Sequence, residues 1–312
     1  WSLRNQSCRG VTHSRASPRH GGSRRNPSWY QPRPSSHAGT PPWPNVSGER
    51  RLNGLSLKVG PLGEHDRLLT LLSDQEGVTR LAVPGARRPR SSLAAAVPLS
   101  LLELQVAGRR GLARVRQLKV LRSFNSVGKQ LETLAAAQAL AELSLMLVAG
   151  NDPLPGLLNT LLMHLERLEA LSQAQPAQPN TTLACSVQAC VHLLALGGYG
   201  LPVQECCRNG TALEPPLGQW EWRCSLMPEE GFAIGALPGA ALQLNPSELA
   251  LLQRLLRPAL PMRRDGELMG PPEVWLRLLA VVECWIRTHL PHHMRALGML
   301  REAIISSGDG RT

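Results

Sequence analysis

Three arginines, Arg87, Arg88 and Arg90, stand within four residues in the stretch Arg80-Leu-Ala-Val-Pro-Gly-Ala-Arg-Arg-Pro-Arg90, and no acid lies between Glu76 and Glu103. A guanidinium presents N–H donors in a rigid planar fork that matches the oxygens of a phosphate. The chemistry this cluster can do is anion recognition, and nucleic acid is the first polyanion to consider. Other reactive residue types are less well arranged. His65 lies in a turn between Glu64 and Asp66, but one base with no nucleophile or metal partner is poor material for catalysis. Two carboxylates followed by Arg67 lack the further ligands of a two-metal nuclease; they are expected to shape the turn and pair with Arg67. His289, His292 and His293 cluster before the last helix, where they can contact nucleic acid or a partner, or cap helix carbonyls when protonated. No Gly-x-x-x-x-Gly-Lys-Ser/Thr loop is present. The chain therefore reads as a non-enzyme that needs no cofactor.

The seven cysteines (8, 185, 190, 206, 207, 224 and 284) are odd in number, and three lie in helical patterns. Free core thiols in a reducing compartment explain them better than a disulfide framework. No window approaches the roughly 20 continuous apolar residues that cross a bilayer, and the N-terminus shows no signal-peptide core. The expectation is a cytoplasmic, nucleoid-associated protein with no membrane contact.

The formal charge of +11 is unevenly spread over the 312 residues. Residues 1–50 hold eight arginines against Glu49 alone, and residues 51–130 hold fourteen Lys/Arg against five acids. The remaining 182 residues carry twelve basic and seventeen acidic groups. Polyanion binding should therefore sit on a basic N-terminal module followed by a mildly acidic one. Residues 1–50, rich in Ser, Pro, Arg and Gly, bury too little to offset their ordering entropy and read as disordered. Two origins stand open for them: a basic tail adding salt-sensitive affinity, or a non-native extension.

The elements that must position the arginines come in short pieces. Five segments are predicted as strands: 52–59, 67–72, 78–83, 98–106 and 112–120. Joined by turns over about 70 residues, they fit a small barrel of the oligonucleotide-binding (OB) kind. Arg80 lies in the third segment, Arg87, Arg88 and Arg90 on the long connection after it, and Arg109 and Arg110 on the turn before the fifth. Arg114, Arg116 and Lys119 lie in the last strand, sharing its parity until a bulge shifts it. Phe124 is the only aromatic between residues 51 and 130, so binding should rest on charge rather than base stacking. Beyond Lys129 the period becomes helical. Helices are predicted from Leu131 to about Gly150, from Pro153 to about Leu171, from Thr181 or Thr182 to Leu196, and over 246–256, 272–290 and 292–305. The fold class is α+β: an N-terminal OB-fold barrel (51–125), then a mainly helical domain (126–312) with an insert at about 200–242.

The run Gly63-Glu-His-Asp-Arg-Leu-Leu-Thr-Leu-Leu72, then Gly77 and Gly85-Ala-Arg-Arg-Pro-Arg-Ser-Ser-Leu93, resembles the N-terminal domain of the bacterial DNA repair and recombination protein RecO family. Leu193-Leu-Ala-Leu-Gly-Gly-Tyr-Gly200 and Thr288-His-Leu-Pro-His-His-Met-Arg-Ala-Leu297 are similar to later parts of that family, so the resemblance runs from about 52 to 305. It implies binding to single- and double-stranded DNA, annealing of complementary strands, and, with RecR, loading of RecA onto strands coated by single-stranded DNA-binding protein (SSB). Many members hold zinc with four cysteines in the insert. Here Cys206 matches the first position, Asn209 stands at the second, and Ile234 and Leu237 lie near the other two. A structural zinc site wants four Cys/His ligands, so a degenerate, metal-free insert is expected, held by Trp220, Trp222, Leu226 and Phe232 or else loosely ordered. Two rivals remain: an RNA-binding accessory protein with the same barrel, and a non-catalytic adaptor whose basic face meets an acidic protein tail. A hydrolase ranks behind both.

Overall fold

A computed structural model of the chain describes residues 49–108, 112–148, 150 and 152–309. The expectations for residues 1–48 and for Arg109 and Arg110 lie outside the described residues.

Five strands, β1 (Glu49–Leu62), β2 (Asp66–Ser73), β3 (Gly77–Val83), β4 (Ser100–Ala107) and β5 (Ala113–Ser123), close into a barrel in the order β1-β2-β3-β5-β4. β1 pairs antiparallel with both β2 and β4, and β3 meets β5 in parallel, which completes the ring. This is the OB architecture expected from the segment pattern. β1 changes partners near Gly54, where a Cβ would lie 2.3 Å from the Leu72 carbonyl oxygen. Only glycine permits that approach of two backbones. The interior is filled by Leu52, Leu69, Leu71, Leu81, Leu102, Leu104, Val106 and Val115, all buried. Burial of each such side chain contributes about 1.5–3 kcal/mol.

A 3-10 turn (Asn125–Lys129) leads to α1 (Leu131–Leu147), α2 (Leu157–Gln173) and α3 (Pro179–Leu196), then α4 (Pro246–Arg254), α5 (Pro272–His289) and α6 (Arg295–Asp309). Local signals explain the starts. Pro occupies the first turn of α3, α4 and α5, where its missing N–H costs nothing. Asn245 and Glu248 form a reciprocal capping box on α4. α2 begins four residues after Pro153 because Gly156 takes a left-handed conformation, φ 85°, that a helix cannot include.

The insert carries a three-stranded antiparallel sheet of β6 (Cys224–Met227), β7 (Gly231–Ile234) and β8 (Leu242–Leu244), with β6 central. Leu226 and Phe232 are fully buried and Trp222 packs against the core. Trp220 differs from expectation: it is 67% exposed, standing in a surface turn rather than in the core of the insert. Cys185, Cys190, Cys206, Cys224 and Cys284 are buried free thiols. Burial pushes Cys185 up to about 11 and Cys190 up to about 12, so both are inert core groups. Among the described residues no cluster of His, Cys, Asp or Glu could hold a metal ion, and no helix is long and apolar enough to cross a membrane.

Candidate nucleic-acid interface

The connection from β3 to β4 is held by backbone and carboxylate contacts that leave its arginines outward. Gly85 adopts φ 62° and donates its N–H to Asp66 Oδ1 at 2.8 Å. Arg87 donates its backbone N–H to the His65 carbonyl at 2.9 Å and its guanidinium to the Gly63 carbonyl at 3.3 Å. Ala86 and Ala96 turn inward into the barrel core. Arg87, Arg88 and Arg90 are exposed.

Arg67 corrects an expectation. It pairs with neither Glu64 nor Asp66; its guanidinium donates to the carbonyls of Ala94 and Ala96 at 2.9 and 3.0 Å. Arg67 has the inward parity of Leu69 and Leu71, so it reaches the mouth of the barrel and ties down the returning half of the connection. Glu64 lies 3.9 Å from His65 instead.

β5 brings further basic groups to the same end. Arg114 registers with Ala82 of β3, and its guanidinium is 3.9 Å from Asp66 Oδ2, with its side chain 60% exposed. The parallel register carries Arg116 past the end of β3, toward the root of the arginine turn. Arg116 sits at a bulge, since Gln105 faces Gln117 while Val106 faces Val115. The bulge reverses the parity, so Lys119 points outward beside Glu103 rather than inward. Arg80 is exposed on the outer face of β3, opposite Thr70, and Thr70 is opposite Lys58 of β1. A row of Lys58, Thr70 and Arg80 thus crosses the barrel surface beside Arg114. Lys58 was not singled out from the sequence, although its place in an alternating Leu55-x-Leu57 run was the available signal.

Among the described residues, Arg80, Arg87, Arg88, Arg90, Arg116, Lys119 and Lys58 form no ion pair with a carboxylate within 4.0 Å. Other cations are spent on structure. Arg50 binds Glu76 at 2.6 Å, and Arg122 reaches Glu166 and Glu169 of α2 while lying 4.6 Å over the Phe124 ring. The hydrogen bond to Glu169 is the largest influence holding the Arg122 guanidinium above its ordinary value, against the opposing effect of burial. Phe124 itself is buried and offers no stacking platform. The contacts place Arg87, Arg88 and Arg114 by the Asp66–Gly85 contact; Arg90 follows on the same turn, Arg116 lies two residues beyond Arg114 on β5, Arg80 stands apart on the outer face of β3 opposite Thr70, and Lys119 lies further along β5.

The family description "Recombination protein O N terminal" matches residues 49–124, and "Recombination protein O C terminal" matches residues 128–298. The chain is 98% identical over 267 residues to the DNA repair protein RecO of Prochlorococcus marinus (strain MIT 9313), covering 86% of this chain and 100% of that protein. The chain belongs to the RecO family. More distant RecO proteins include that of Synechococcus sp. (strain WH7803), 69% identical over 83% of this chain and 96% of its own length. The RecO of Cyanothece sp. (strain PCC 7425 / ATCC 29141) is 33% identical over 78% of each chain. The two RecO matches fall on the barrel and on the helical body respectively.

Proposed function

We propose that this RecO-family chain is a non-enzymatic mediator that binds DNA through its barrel, anneals complementary single strands and helps load a recombinase onto SSB-coated DNA. Its setting is recombinational DNA repair, in keeping with its family and the names of its relatives. The observation that carries the DNA-binding part is the turn held by Asp66, which leaves Arg87, Arg88 and Arg90 exposed and, among the described residues, without an ion pair, while Arg114 comes no nearer than 3.9 Å to the same carboxylate. Arg80, Arg87, Arg88, Arg90, Arg109, Arg110, Arg114, Arg116 and Lys119 are the proposed phosphate contacts.

Phosphate contacts made this way carry little sequence information. They also lower the repulsion between two backbones while leaving base edges free, which is what annealing requires. Charge does the holding, since the one aromatic of the barrel segment is in the core. The more acidic helical body is the proposed surface for RecR, SSB and RecA, partners that enter through the family resemblance. A nucleoid location follows from the same reading.

The test is a binding and strand-annealing assay with purified chain, complementary DNA oligonucleotides and low salt. Accelerated annealing of unrelated sequences to a similar degree is expected. Preference for RNA that disappears with 2′-deoxy strands would favour the RNA-binding rival. Metal-dependent cleavage would favour a hydrolase, and a failure to bind either nucleic acid would favour the adaptor.

A further inference from the structure

Three depressions adjoin one another on the surface. The first, about 700 Å³, lies between the outer face of the barrel and the end of α1 and includes Arg80 and Lys58. The second, about 690 Å³, lies between α1 and α6 and includes Lys58 at one end and His292 and Arg295 at the other. The third, about 230 Å³, lies at the α5–α6 corner and includes Arg295, Arg287 and His293. Lys58 thus joins the first to the second, and Arg295 joins the second to the third.

The acids along this path are already occupied. Glu76 is bound by Arg50, and Glu283 is bound by Arg301. Glu142 accepts the first two backbone N–H groups of α6, from Arg295 and Ala296, at 3.3 and 3.0 Å. By contrast, the side chains of Lys58, Arg80, Arg287, His292, His293 and Arg295 form no ion pair with a carboxylate among the described residues. The middle depression has an apolar floor with Leu131 60% and Met299 54% exposed. These side chains give the depression an apolar surface between two cationic ends.

We infer that a single strand of DNA continues from the barrel past Lys58, rests its bases on the floor between α1 and α6, and is held again by phosphate contacts from Arg295, His292, His293 and Arg287. This rests on the proposed DNA-binding reading of the barrel and extends it to the helical body. A single strand fits because its unpaired bases can meet an apolar floor, whereas a duplex presents backbone and groove edges. Continuity through Lys58 favours a strand over an acidic peptide, which would need only the middle depression. Without Phe, Tyr or Trp in the floor, the bases meet it by apolar contact rather than by stacking.

The experiment measures binding of oligothymidylates of increasing length, and of a duplex of matched length, by fluorescence anisotropy across salt concentrations. The proteins are the intact chain, a barrel variant (Arg87→Ala, Arg88→Ala, Arg90→Ala) and a corner variant (Arg287→Ala, His292→Ala, His293→Ala, Arg295→Ala). A floor variant, Met299→Glu, is added, and all are checked for native circular dichroism. The corner variant is expected to bind the shortest oligomers like the intact chain but to lose ~10-fold or more on long ones, with a salt slope lower by about 1–3. Met299→Glu should weaken long single strands and spare the duplex. Unchanged length dependence and slope in the corner variant, with loss only in the barrel variant, overturns this path and leaves the barrel reading intact. Failure of the intact chain to bind any oligomer overturns the barrel reading itself. Loss of poly-glutamate binding in the corner variant, with oligothymidylate binding unchanged, assigns the corner to an acidic protein segment and overturns the strand path.

Discussion

A carboxylate in the middle of a cation cluster ordinarily cancels part of its field, yet Asp66 also builds the cluster. Its Oδ1 accepts the Gly85 N–H at 2.8 Å, and this fixes the turn from which Arg87, Arg88 and Arg90 project. Its other oxygen stays 3.9 Å from Arg114, too far for a tight pair. At a second buried site, one chain of hydrogen bonds assigns every proton. The Leu255 carbonyl can only accept, so His192 Nε2 donates to it at 2.8 Å; His192 Nδ1 then accepts from His164 Nε2 at 3.1 Å. His164 Nδ1 is left as a buried acceptor with no partner among the described residues. Burial, then each other's proximity and Arg167, holds His164 well below its usual value, and burial pulls His192 down to about 4. Both rings are neutral in the fold, while in the unfolded chain they take up protons near pH 6.5. Below that pH the unfolded state binds more protons, so stability falls as pH drops from 6.5 toward 4. Urea unfolding midpoints should drop more steeply over this window for the native chain than for His164→Leu/His192→Leu. Parallel curves would contradict the assignment. Such pairings were illegible in the sequence, because residues 28 positions apart meet only once α2 and α3 pack. For the same reason Arg67 could be read as a partner of its acidic neighbours, when strand parity sends it the other way.

Strands and helices were more legible than individual contacts. The five barrel segments are set by short apolar runs between Gly-containing turns, and each run is long enough to show its period. The insert's strands have only three or four residues, too few alternations to stand out, and they are recognisable only through the burial of Leu226 and Phe232. The link between barrel and helices was equally hidden. Arg122, near the end of β5, reaches Glu166 and Glu169 at 2.5 and 2.8 Å, and Ser126 also donates to Glu169 at 2.5 Å. β5 and α2 are thereby joined on one side, while the Phe124 ring fills the space beneath. Arg122→Ala removes the ion pairs and the cation–ring contact together. Because the groups are partly exposed, the expected loss is about 1 kcal/mol. It should appear as a lower urea midpoint with little change in DNA affinity. A large affinity loss at unchanged stability would instead make Arg122 a phosphate contact.

Across the whole molecule, the division of charge between a basic first module and a more acidic second one was readable from residue counts alone. What the counts could not show is how the positive groups are disposed, since the arginine turn, β3 and β5 approach one another only through barrel closure. That closure converts a surplus of charge into a surface, and counterion release from DNA is the physical signature of such a surface. The most direct measurement is therefore the slope of log binding constant against log salt for single-stranded DNA, taken on the native chain and on folded Arg87→Ala/Arg88→Ala/Arg90→Ala. Three lost phosphate contacts at about 0.7–0.9 each predict a slope shallower by roughly 2–3, with similar losses on unrelated sequences. An identical slope in the two proteins would contradict the account.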